Sequence, residues 1–179
     1  MRCRLLVAAA MLSALAMSAC KSEKKPDNII VKKHVVKSKK TVQDMGDSHA
    51  EHRVEWLGST YRVLIDRKAD KSLSLAADGQ GNRYYDNRVT VVITRPDGSE
   101  FLNRTFTKAN FADLLDGGSA NGALLGVVFV RAEGDKLILA ASVGSPDRMS
   151  DEYVPLVLTV SRTGGVDVAK DTQMDGDDL

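Results

Sequence analysis

The chain holds two cysteines, Cys3 and Cys20, and none after residue 20. Everything from Lys21 onward therefore folds without a disulfide to restrict its unfolded state, and it can present neither a thiolate nucleophile nor a cysteine-based zinc site. Histidine is nearly as scarce, with His34, His49 and His52 the only three, so the chain beyond residue 52 has no histidine general base. Aromatic residues make up 5% of the chain and Trp56 is the single tryptophan, which argues against a strong stacking platform for sugars. The longest apolar stretch, residues 5–17, falls short of the roughly 20 residues that a membrane-spanning helix requires.

What is present begins with that stretch. Arg2 and Arg4 precede it, and Ser18-Ala19-Cys20 closes it, giving the three-part layout of a secretory signal over residues 1–19. The small side chains before Cys20 suit a signal-peptidase pocket, and the cysteine after them resembles the lipobox of bacterial lipoproteins, although Met17 stands where leucine is usual. The alternatives are a plain secretory signal with a chance cysteine, or an uncleaved anchor. The resemblance implies a diacylated Cys20 and a membrane partner reached through lipid. One acyl chain binds a membrane marginally, whereas two or three hold it firmly, at about 0.8 kcal/mol per buried methylene. Lys21 is not the aspartate that retains many lipoproteins at the inner membrane. By analogy with the class, the expected location is the outer membrane of a bacterial envelope, on its periplasmic face or at the cell surface.

Charge divides the remainder. Residues 21–50 carry eight lysines against four acids, while the chain from Glu51 onward carries 15 basic and 20 acidic residues. Residues 20–50 read as a basic tether with too little apolar surface to offset its ordering entropy. Its lysines serve either as a solvated spacer, the preferred reading, or as contacts to anionic lipid. They lack interleaved aromatics, which excludes nucleic acid as an expected partner. The run 29–36 could also supply an edge strand. The tail 171–179 is acidic; its Asp171, Asp175 and Gly176 echo a calcium loop only superficially, since Gln173 breaks the pattern.

Within residues 51–170 the apolar pattern has period two, the mark of strands with one buried face. Strands are expected over 54–66, bent at Gly58-Ser59, over 88–95 and 100–106 around the turn Pro96-Asp97-Gly98-Ser99, and over 124–132, 136–143, 153–162 and 166–169. Proline pre-sets φ and glycine tolerates positive φ at that turn. The run Val127-Val128-Phe129-Val130 predicts burial on both faces. Pro155 predicts an edge position or a bulge near the start of its strand. Thr107 to Leu115 switches period, with Phe111, Leu114 and Leu115 on one side, and predicts one short helix capped by Thr107 or Asn110. The fold class is mainly β: an antiparallel meander of about seven strands with one short helix, built as a curved sheet, a sandwich or a partly open barrel.

The segments Tyr84-Tyr85-Asp86-Asn87-Arg88-Val89-Thr90, Thr94-Arg95-Pro96-Asp97-Gly98-Ser99 and Asn103-Arg104-Thr105-Phe106-Thr107-Lys108 resemble an uncharacterised family of lipoproteins, a domain of unknown function, from gut-dwelling Gram-negative bacteria. Gly134-Asp135-Lys136-Leu137 and Asp151-Glu152-Tyr153-Val154-Pro155-Leu156 are similar to it as well, so the resemblance spans about residues 50 to 176. It implies no activity and no site residue.

No catalytic constellation stands out. His49 and His52 would align as metal ligands only on a helix, and solvated polar residues are the preferred reading, so no metal and no cofactor is expected. The acidic pairs Asp151-Glu152 and Asp113/Asp116 do not show the cross-cleft arrangement of glycoside hydrolysis. Arg83, Tyr84, Tyr85, Asp86 and Asn87 form the candidate partner or ligand surface, against the alternative that one tyrosine packs inside while Asp86 and Asn87 hold a turn. Trp56 reads as core. The expectation is a non-enzymatic binding or accessory module, with an envelope protein as partner; the alternative is a glycan-binding or glycan-processing lipoprotein.

Overall fold

The computed structural model describes residues 41–172, which lie within one compact unit of the chain. The signal segment, Cys20, the lysines of the tether up to residue 40 and the tail beyond residue 172 lie outside the described residues.

Among the described residues ten strands follow one another: β1 Ser48–Trp56, β2 Ser59–Ala69, β3 Ala76–Ala77, β4 Arg83–Tyr84, β5 Asn87–Thr94, β6 Glu100–Phe106, β7 Ala123–Glu133, β8 Lys136–Gly144, β9 Tyr153–Ser161 and β10 Val166–Lys170. They form two four-stranded antiparallel sheets, in the orders β1-β2-β5-β6 and β10-β9-β8-β7, with β3 and β4 as a small separate pair. Their inner faces share one core in which Val63, Val89, Ile93, Leu137, Val143 and Leu156 are fully buried. Of the three architectures open to the sequence, the sandwich is the one formed. Alternation explains it: β5 buries Val89, Val91 and Ile93 and turns Thr90, Val92 and Thr94 outward, and β8 does the same with Leu137, Leu139, Ala141 and Val143.

The expected bend at Gly58-Ser59 is a hairpin turn, with positive φ at both Leu57 (53°) and Gly58 (72°). β1 starts at Ser48, and the chain ahead of it already packs: Met45 is buried with Ala76, Tyr84 and Ala123, and Gln43 bridges to Tyr84. Trp56 is buried edge-to-face against Tyr61 and Phe101, at 5.1 and 5.4 Å between ring centroids. The expected helix is a 3-10 helix, Lys108–Leu114, with Phe111 buried and the Asn110 side chain accepting the Thr107 N–H at 2.8 Å. A second 3-10 helix, Ser119–Asn121, completes the crossover from one sheet to the other.

One expectation is overturned. β7 is not buried on both faces: Val128 and Val130 are 58% and 47% exposed. β7 is the last strand of its sheet, and its register against β8 shifts at Leu124/Gly126 and again at Phe129/Arg131. An apolar run marks a strand but not its rank in the sheet. Pro155 lies third in β9, an inner strand with no register shift there, just past the last β10 pair, Lys170 with Leu156; its carbonyl takes the Asp171 N–H on that side, and the missing N–H forgoes only the reciprocal bond at the end of the ladder.

The two outer faces differ. The β1-β2-β5-β6 face presents Arg53, Glu55, Arg62, Asp66, Lys68 and Arg88. The other carries Val128, Ala140, Val157 and Ala169 in one row across all four strands.

Candidate functional site

The five residues of the candidate surface do not stay together at the surface. Arg83 is exposed, and Tyr85 is half-buried with the Lys71 ammonium 5.4 Å from its ring centroid. Tyr84 is buried beside Gln43, and its hydroxyl is pushed up in pKa by that burial, with Asp78 and Asp147 adding to the effect. Asp86 and Asn87 are 2% and 0% exposed. They lie where β4 enters β5, and the alternation that sends Val89 into the core carries Asn87 in with it.

Burial at that point demands partners, and the far sheet supplies them. Asp86 Oδ1 accepts the backbone N–H of Asn87 at 2.8 Å and that of Leu124 at 2.9 Å. Asn87 Nδ2 donates to the Leu124 carbonyl at 2.7 Å, while its Oδ1 has no partner among the described residues. Arg67 donates to the Leu125 carbonyl and, at 3.2 Å, to that of Gly46. The exposed hydrogen-bonding edge at the start of β7 is thus sealed by side chains from the first sheet.

The second carboxylate oxygen of Asp86 faces Lys108, whose Nζ lies 3.4 Å away and donates to the Gly122 carbonyl at 2.5 Å. Lys108 opens the 3-10 helix, so the ion pair ties the sheet crossover to the β4–β5 junction. Beside the pair is an open cleft of about 240 Å³ lined by Leu73, Ala109, Ala112, Leu115 and Ala120, with Asp86, Lys108, Ser74 and Thr107 as its polar residues. Consecutive residues of the crossover line a second, larger and more polar cleft of about 580 Å³, where Asp78, Asp116, Ser119, Asn121 and Glu152 gather. Asp78 feels its desolvation, which raises its pKa, but bonds from Asn82 and Gln80 outweigh it and hold the carboxyl below the usual range. The walls of this cleft rest on a close backbone approach: a Cβ on Gly122 would lie 2.1 Å from the Gly144 carbonyl oxygen, and one on Gly144 2.2 Å from that of Glu152.

The two β1 histidines are kept apart. His49 pairs with Asp66 on the outer face, Nδ1 to Oδ1 at 2.7 Å, and His52 turns inward with its ring centroid 5.4 Å from that of Phe129. A strand puts residues three apart on opposite faces. Among the described residues no group of three His, Cys, Asp or Glu side chains could hold a metal ion, and no helix is long and apolar enough to cross a membrane.

Sequence reasoning reached Asp86 and Asn87 but not Lys108, Leu124 or the crossover alanines. Lys108 is one lysine among many in sequence, and nothing local links it to a carboxylate 22 positions away.

Fold and clefts together define an antiparallel β-sandwich domain with its candidate binding surface at a loop-bearing end. The chain belongs to the family described as Domain of unknown function (DUF4738), whose model matches residues 28–168. No curated protein matches it.

Proposed function

We propose that this protein is a lipid-anchored binding module of a bacterial cell envelope, without catalysis of its own. The signal-like leader ending at Ser18-Ala19-Cys20 supports the anchor and the secreted location, with the outer membrane preferred because Lys21 follows Cys20. The observation that carries the binding role is the cleft over Asp86 and Lys108. Aliphatic side chains with a few polar groups among them are the makeup of a recognition site. Asp86 and Lys108 themselves are engaged in holding the two sheets together, which suits rigid binding better than proton transfer.

Two measurements test this reading on the full chain. Radiolabelled palmitate should enter the wild type in its own host and not Cys20→Ser, and the variant should leave the membrane fraction with its fold intact. Methyl NMR of the full chain titrated with envelope extract should show shifts of the Ala109 and Ala120 signals that Ala112→Phe, which fills the cleft from an exposed position, lacks. Palmitate-free wild type would sink the anchor, and equal or absent shifts in the two proteins would sink the cleft.

A further inference from the structure

The chemistry of the smaller cleft narrows what it can take, on the premise that the cleft is a binding site. Lys108 has three N–H donors. One goes to the Gly122 carbonyl and one faces Asp86, leaving a third. Asp86 Oδ1 is filled by two backbone N–H groups, while among the described residues Oδ2 has only the lysine at 3.4 Å and can accept another bond. The ion pair therefore offers one donor and one acceptor side by side, and Ser74 and Thr107 add hydroxyl-bearing side chains to the same lining.

Net charge at this end is balanced, which selects against charged ligands. A carboxylate drawn to Lys108 would meet Asp86, and an ammonium drawn to Asp86 would meet Lys108, each at a separation where like charges repel strongly in a partly buried site. A hydroxyl fits both groups with one oxygen, accepting from Lys108 Nζ and donating to Asp86 Oδ2. Around it stand Leu73, Ala109, Ala112, Leu115 and Ala120, which suit C–H surface. At about 240 Å³ the cleft lies below the roughly 300–1,000 Å³ of sites for drug-sized molecules, so it takes one ring and not a chain of them. Ala120 faces this cleft while Ser119 and Asn121 face the polar one, so hydroxyls on the same ligand find hydrogen-bonding partners next door.

We propose that the cleft above Asp86 and Lys108 binds an uncharged monosaccharide unit, one ring hydroxyl bridging the ion pair and an apolar ring edge lying on the crossover alanines. Its lining holds no aromatic side chain and so lacks the stacking that strengthens sugar binding, and a single unit binds in roughly the millimolar range.

The test uses the full-length chain in detergent micelles with labelled alanine methyl groups, titrated with methyl α-L-fucopyranoside, methyl α-D-glucopyranoside, glucuronate and glucosamine. At least one neutral glycoside should shift the Ala109, Ala112 and Ala120 methyl signals saturably, with the charged sugars about tenfold weaker or worse. Ala112→Phe, which fills the cleft from an exposed position and leaves the ion pair in place, should abolish the Ala109 and Ala120 shifts while leaving the remaining spectrum folded. Silence with both neutral glycosides, or equal binding of the charged ones, would overturn the sugar. If envelope extract still shifted the wild-type alanine signals and not those of Ala112→Phe, that silence would remove the sugar and leave the binding module standing.

Discussion

Asp86 reaches across the sandwich to the main chain of Leu124, accepting its N–H at 2.9 Å from a carboxylate that is 2% exposed. The same carboxylate faces Lys108, so its removal would strand both a buried N–H and a largely buried ammonium. Loss of one member of such a pair costs about 3–5 kcal/mol, because the surviving charge is left without compensation. Asp86→Ala should therefore lower unfolding free energy by about 3 kcal/mol or more in urea titration. Asp86→Asn keeps an acceptor for the two backbone N–H groups and should cost less; equal losses would mean that the Leu124 bond contributes little.

Much of the fold was legible because it rests on local signals. Pro96 and Gly98 mark the β5–β6 turn, and the alternation of Val89, Val91 and Ile93 gives the face of β5. The 3-10 helix announces itself by the spacing of Phe111, Leu114 and Leu115. The site was only half legible: Asp86 and Asn87 are conspicuous between two tyrosines and a strand, yet their partners are decided by how the second sheet packs on the first. The exposed valines of β7 were misread for the same reason, since strand order is a tertiary property.

Gly122 and Gly144 are needed for space, not for unusual dihedrals; Gly122 has an ordinary φ of −72°. A methyl group at either would fall within 2.2 Å of a backbone oxygen, and backbone cannot swing aside as a side chain can. Gly122→Ala and Gly144→Ala should each destabilise by more than the roughly 1–3 kcal/mol typical of overpacking. Gly117→Ala, in open space nearby, is the control and should be tolerated, as read by thermal melts.

Acid should weaken the fold through its turn carboxylates. Asp70 and Asp97 are held below the usual range first by the hydroxyls of Ser72 and Ser99 and then by the same residues' N–H groups, and Asp116 first by the Ser119 N–H and then its hydroxyl. A carboxyl whose pKa is depressed in the folded state adds stability above its unfolded value, near 4, and that contribution is lost as pH falls through the folded value. Stability should stay level from neutral pH to about 5 and decline below about 4. Ser99→Ala should raise the Asp97 pKa toward the ordinary value in an NMR titration, and an unmoved Asp97 would remove the Ser99 hydroxyl as the main cause.

Val128 is 58% exposed on a strand at the end of its sheet, in the uncharged run 127–130. Bare apolar edges template association, and a lysine there blunts it. Val128→Lys should leave the unfolding free energy within about 0.5 kcal/mol, as surface changes do, and should reduce light scattering of concentrated protein. A large loss of stability would mean that the outer face of β7 is covered in solution.

Leu57 carries a positive φ of 53° in the β1–β2 turn, next to Gly58 at 72°, and its side chain is 47% exposed. Positive φ at both central positions is the pattern of a type I′ hairpin, where Asn-Gly is the favoured pair. A leucine there crowds its Cβ against the following carbonyl, at about 1 kcal/mol, whereas asparagine tolerates the conformation. The exposed leucine makes little compensating contact, so Leu57→Asn should stabilise by about 0.5–1 kcal/mol and raise Tm by a few degrees. Leu57→Ala trims the side chain but keeps the strained φ, and should show none of that gain. A gain shared equally by both variants would assign the effect to lost surface hydrophobicity instead of relieved backbone strain.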